Sequence, residues 1–201
     1  MNNQLVCLST TDAEYRLVLL HGWGADAEDL LPVGITLQNL CNKKIEVVSI
    51  RANQVHQSGL GRQWYGLFPP VWDDVPFAFK YLRDELEAIS KTYISLEKTV
   101  ILGFSQGGAM ALECGTKMNL KGIICCSGYL HPKLTFGNDF PNLLFTHGFK
   151  DDVVPLEAAK EIELLISTNN LPYEKIFFEG AHEISDSVVS KISKVLNFWL
   201  S

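Results

Sequence analysis

The sequence predicts an α/β fold with a mostly parallel central sheet carrying helices on both faces. Three observations lead there. Apolar runs of a few residues recur along the chain, each continuous rather than alternating, as in strands covered on both faces. Between them lie stretches with apolar residues three and four apart, the spacing of amphipathic helices. The octapeptide Ile101-Leu102-Gly103-Phe104-Ser105-Gln106-Gly107-Gly108 joins one strand-like run to an Ala-rich helical run. Alternating strands and helices imply βαβ crossovers and a three-layer sandwich.

The strands expected in order are Leu17-Val18-Leu19-Leu20, Val47-Val48-Ser49-Ile50, Val100-Ile101-Leu102, Gly122-Ile123-Ile124-Cys125-Cys126, Leu143-Leu144-Phe145-Thr146 and Lys175-Ile176-Phe177-Phe178. Phe79, Leu82, Leu86, Ile89 and Tyr93 predict an amphipathic helix of about five turns. A second helix is expected from Glu157 to Ile166, with Pro155 near its first turn. Val188, Val189, Ile192, Val195, Leu196 and Trp199 mark the apolar face of a closing one. Without repeats or a linker, residues 1–201 read as a single domain, long enough to bury a substantial core.

Composition removes several classes of function. Net charge is −6, and Lys43-Lys44 is the only adjacent basic pair, so nucleic-acid binding is not expected. No apolar run approaches the roughly 20 residues of a membrane span, so stable membrane insertion is not expected either. Met1-Asn2-Asn3-Gln4 has neither a basic segment nor a long apolar one, so no secretory signal is read. Five cysteines without a C-x-x-C spacing argue against a disulfide framework and a zinc site. A reducing, cytoplasmic setting fits, with Cys125 and Cys126 as small core residues.

The octapeptide contains Gly103-Phe104-Ser105-Gln106-Gly107, the G-x-S-x-G pattern, with a strand before it and a helix after it. That context suits the nucleophile elbow of an α/β-hydrolase, where serine sits on a strained turn beside a helix N-terminus. A serine hydroxyl needs a histidine to take its proton and an acid to orient that histidine, in the chain order serine, acid, histidine. The order excludes His21 and His56 as the base. His131 precedes a proline in a loop, and His147 precedes the expected acid. His182, in Gly180-Ala181-His182-Glu183, follows the last expected strand and is the candidate base. Asp151 and Asp152 both follow a strand and precede a helix; either could face the histidine while the other caps the helix. Two backbone N–H groups must hold the oxyanion, and Trp23 and Gln106 are placed to supply them. His21 is expected to shape the Trp23 loop by hydrogen bonding. No metal or cofactor is required by this chemistry.

Five segments carry a family resemblance: Leu20 to Asp26, Arg62-Gln63-Trp64-Tyr65, Gly103 to Ala109, His147-Gly148 through Asp151 to Pro155, and Gly180 to Ile184. With them the chain resembles the acyl-protein thioesterases and carboxylesterases, small α/β-hydrolases also called the phospholipase/carboxylesterase family. The resemblance implies a minimal single domain without a large cap. It also implies hydrolysis of esters or thioesters through an acyl-enzyme, with Asp151 as the acid. Trp23 stands where leucine is usual in that family. The apolar stretch Trp64 to Trp72 is expected to line an acyl-binding groove, with Trp64, Tyr65, Leu67, Phe68 and Trp72 joined by Val154. It could instead pack on the body as a small core, meet a membrane interface or serve a homodimer. The substrate could be a small ester, an acylated protein or a lysolipid. A binding protein that keeps the scaffold without turnover is the alternative from another class.

Overall fold

A computed structural model describes residues 5–8, 12–137 and 140–201. The reading of residues 1–4 as lacking a secretory signal lies outside them. In chain order the elements are β1 (Leu5–Leu8), β2 (Tyr15–Leu20), α1 (Leu31–Leu40), β3 (Ile45–Ile50), β4 (Gln54–Val55), β5 (Arg62–Gln63), α2 (Val75–Ser90), β6 (Thr99–Phe104), α3 (Gln106–Gly115), β7 (Gly122–Cys126), β8 (Asn142–Gly148), α4 (Leu156–Thr168), β9 (Glu174–Phe178) and α5 (Asp186–Trp199). Seven strands form one sheet in the order β1-β3-β2-β6-β7-β8-β9, while β4 and β5 form a separate small hairpin. Six strands of the large sheet run parallel, and β1 pairs with β3 antiparallel.

The continuous apolar runs have a direct cause. Along β2, Val18 and Leu20 join one core with Leu82 and Leu86 of α2, Met110 of α3 and Ile162 of α4. Leu17 and Leu19 point the other way, into a second core with Leu37 of α1 and Val188, Ile192 and Leu196 of α5. Both pleat faces are therefore buried, and an alternating pattern would leave one layer without a partner.

The expected helix ending at Tyr93 starts and stops earlier, at Val75 and Ser90, with Pro76 in its first turn. Tyr93 lies beyond it and donates its hydroxyl to Glu46 Oε2 at 2.9 Å. Nearby, the buried Arg16 donates to Ile94 O at 2.9 Å and Thr92 Oγ1 at 2.8 Å, and its Nε faces Glu46 at 3.4 Å. All five cysteines are free thiols, with Cys114, Cys125 and Cys126 buried. Among the described residues no helix is long and apolar enough to cross a membrane.

Parallel register decides where a site can form. Gly103 pairs with Leu20 and Cys125, Cys126 with Thr146, and Gly148 with Phe178. The segments that leave β2, β6, β7, β8 and β9 thus emerge at one edge of the sheet, where open α/β sheets bind ligands.

Candidate active site

Ser105 occupies the sharp turn between β6 and α3, with φ 56° and ψ −119°. This positive-φ backbone is costly for a non-glycine residue and persists only where its surroundings enforce it. The enforcement is visible: Ser105 N–H donates to Cys126 O at 2.9 Å, and α3 begins at the next residue with all ten of its residues buried. A Cβ on Gly107 would lie 2.0 Å from Leu20 O, so only glycine lets α3 approach β2 this closely. Gln106 opens α3, and its amide belongs to the first turn, whose N–H groups lack intrahelical acceptors.

The segment after β8 carries the two adjacent acids, and they take different places. Asp152 is exposed, whereas Asp151 is buried and its Oδ2 accepts from His182 Nδ1 at 2.8 Å. Asp151 Oδ1 accepts the amides of Val153 at 3.0 Å and Val154 at 2.8 Å, folding the turn before α4. Burial works to raise this carboxyl, but the His182 bond and the Val154 amide outweigh it and hold the group below the ordinary carboxylate value. An ionised Asp151 places the proton of His182 on Nδ1 and leaves Nε2 as an acceptor. The loop bearing His182 is sewn to the Asp151 turn by Lys150 N–H donating to Gly180 O at 2.9 Å. His147 is buried beneath, donating from Nε2 to Val154 O at 2.8 Å.

Ser105 and His182 face the same cavity of about 560 Å³. Its wall beyond them comes from Trp23, Ala25 and Leu30 after β2, Leu67, Phe68 and Pro70 after β5, and Val154, Pro155 and Ala158 at the start of α4. Phe104 stacks obliquely on the His182 ring, with centroids 4.7 Å apart. Trp23 is held edge-on between His56, at 4.1 Å, and Phe68, at 5.1 Å. Its Nε1 is enclosed with no hydrogen-bond partner among the described residues. His21 lies below the loop with Nδ1 bonded to Gly22 O at 2.8 Å and Nε2 accepting from Ala52 N–H at 3.1 Å, the loop-shaping place expected of it. Burial pushes its pKa down, keeping the ring neutral.

The aromatic stretch divides. Leu67, Phe68 and Val154 line the cavity. Trp64 and Tyr65 do not: both are wholly buried, correcting their place in the groove. Trp64 Nε1 donates to His21 O at 2.9 Å, Gln106 Oε1 accepts from Trp64 N–H at 3.0 Å, and Gln106 Nε2 donates to Tyr65 O at 2.8 Å. Satisfying those polar atoms turns both rings into the core. Trp72 is likewise displaced, lining a separate depression with Glu113 and His131. Tyr129 enters the cavity wall unannounced by the sequence reading; its place just after β7 was the available signal.

An α/β-hydrolase is the class that this sheet order and strained serine turn define. The sequence profile of the phospholipase/carboxylesterase family matches residues 1–200, and the chain belongs to that family. Acyl-protein thioesterase 1 of Candida albicans is 27% identical over 215 residues, spanning 92% of each chain. Among solved structures, esterase PE8 superposes with a TM-score of 0.87 at 24% identity, over 97% of this chain and 99% of its own. The carboxylesterase of Bacillus cereus gives 0.83 at 22% identity, over 97% and 93%.

Proposed function

We propose that the chain hydrolyses carboxylic esters or thioesters through an acyl-enzyme on Ser105. The observation that carries this reading is the 2.8 Å bond from His182 to a buried Asp151, in a cavity shared with Ser105 on its strained turn. His182 Nε2 takes the proton as Ser105 Oγ attacks the acyl carbonyl carbon. The backbone N–H groups of Trp23 and Gln106 hold the tetrahedral oxyanion. As the intermediate collapses, the C–O or C–S bond breaks and Nε2 returns its proton to the departing alcohol or thiol. Water then attacks the acyl-serine with His182 again accepting the proton, releasing a carboxylic acid and restoring Ser105. The apolar wall favours acyl groups of some length over acetate.

Fluorophosphonate labelling and turnover of p-nitrophenyl butyrate test the assignment together. Ser105→Ala should abolish labelling and lower kcat by a factor of about 10³ or more. Retention of either signal in that variant rejects Ser105 as the nucleophile. A lysophospholipid and an S-acylated peptide assayed beside the aryl ester would rank the substrate classes.

A further inference from the structure

Tyr129 is, with Asp29, a polar member of a largely apolar wall, and its hydroxyl is tied into a buried chain. Tyr129 OH lies 2.6 Å from Tyr65 OH, which lies 2.7 Å from His131 Nε2. His131 Nδ1 reaches Glu113 Oε2 at 3.3 Å, and Glu113 also pairs with Lys117. Burial works to raise the Glu113 carboxyl, but the bonds from His131 and Lys117 outweigh it, so Glu113 is an anion that only accepts. Burial pushes the Tyr129 phenol up to about 12 and raises Tyr65 as well, so both keep their hydrogens.

These facts give the chain a direction. Glu113 takes the Nδ1 hydrogen of His131, and in the tautomer that carries this one hydrogen Nε2 is an acceptor. Tyr65 must then donate to Nε2, and its oxygen accepts the hydrogen of Tyr129. Tyr129 has spent its one hydrogen inward and offers the cavity only lone pairs.

We propose that Tyr129 is a specificity-determining residue that accepts a hydrogen bond from a hydroxyl or N–H on the bound substrate, favouring substrates that carry such a donor over those with only acceptors. The inference rests on the hydrolase reading above and names a substrate feature that the triad does not read. One good hydrogen bond corresponds to about a three- to tenfold preference.

The test compares kcat/KM for matched pairs. The first pair is p-nitrophenyl 6-hydroxyhexanoate and 6-methoxyhexanoate, with the group on the acyl side. The second is 2-hydroxyethyl and 2-methoxyethyl hexanoate, with the group on the alcohol side. The wild type should prefer the hydroxyl member in at least one pair, and Tyr129→Phe should lose that preference by slowing the hydroxyl member. Tyr65→Phe frees the Tyr129 hydrogen and should narrow the ratio differently, by speeding the ether. A purely structural role would slow both members alike. No preference in the wild type, or an undiminished one in Tyr129→Phe, overturns the proposal. Failure of the wild type to cleave unsubstituted p-nitrophenyl hexanoate would instead defeat the hydrolase reading.

Discussion

His182 can serve as a base only while Nε2 is free of a proton, and the Asp151 bond arranges this by fixing the hydrogen on Nδ1. His21 does the reverse job: its Nε2 is committed to Ala52 N–H, so protonation would break a buried hydrogen bond. Burial lowers its folded pKa beneath the ordinary value of about 6.5, and the unfolded chain therefore binds more protons in between. Stability should rise with pH through that window and fall as pH drops below about 6.5. Asp151 acts in a separate range. Its carboxyl is also lowered, so its contribution is complete above about 3.9 and lost as pH falls through the folded value. Urea midpoints measured across pH should show the first loss reduced in His21→Gln and the second in Asp151→Asn. Equal acid sensitivity in wild type and both variants would contradict these assignments. Chain order and turn chemistry single out Ser105 and His182 as candidates in the sequence, and the fold brings both to one cavity. Composition left Asp151 and Asp152 open and the family resemblance alone pointed to Asp151; the folded turn shows it to be the one that faces inward. Trp64 and Tyr65 were misplaced for a related reason: an apolar ring suits a groove wall and a core equally, and here the backbone hydrogen bonds to Gln106 decide.

At the scale of elements, six of the strands were readable because covered faces demand uninterrupted apolar residues. β1 was not, since Leu5–Leu8 is an antiparallel edge strand with no fully buried side chain to mark it. α1 was hidden for a different reason. Leu31–Leu40 contains Gly34 and the β-branched Val33, Ile35 and Thr36, all weak helix formers, so local propensity argues against it. Tertiary packing prevails: a Cβ on Gly34 would come within 2.7 Å of Leu19, so the helix lies directly on the sheet. The buried Arg16 plays a comparable role for the segment after α2, which it fastens to the sheet through Thr92 and Ile94. Arg16→Ala leaves the buried Glu46 without its cation, facing only the neutral Tyr93 hydroxyl and Cys7 thiol, and should cost about 3–5 kcal/mol, read from denaturant midpoints. Changing Arg16 and Glu46 together to Met and Leu should recover much of that loss. A single Ala variant as stable as wild type would show that the pair carries no such burden.

For the whole molecule, the parallel strands collect five loops at one edge, and the cavity belongs to all of them rather than to any one element. Its bulkiest contributor is Trp23, wedged between His56 and Phe68. Trp23→Leu should lengthen the accepted acyl chain, with kcat/KM rising by up to about fourfold for each methylene newly buried. A p-nitrophenyl ester series from acetate to decanoate checks this; an unchanged chain-length profile would mean that another residue sets the limit.

Gln106 links the two halves of this arrangement. Its amide adjoins Ser105, while its side chain clasps the backbone of Trp64 and Tyr65, at the root of the loop that carries Leu67 and Phe68. The serine turn and the root of the cavity wall are consequently tied together by the two bonds of one side chain. Accommodation of differently shaped substrates falls to the far rim, where the side chains of Phe68 and Val153 stand exposed. Tolerance towards substrates is thus a property of the rim, kept apart from the geometry that must not move.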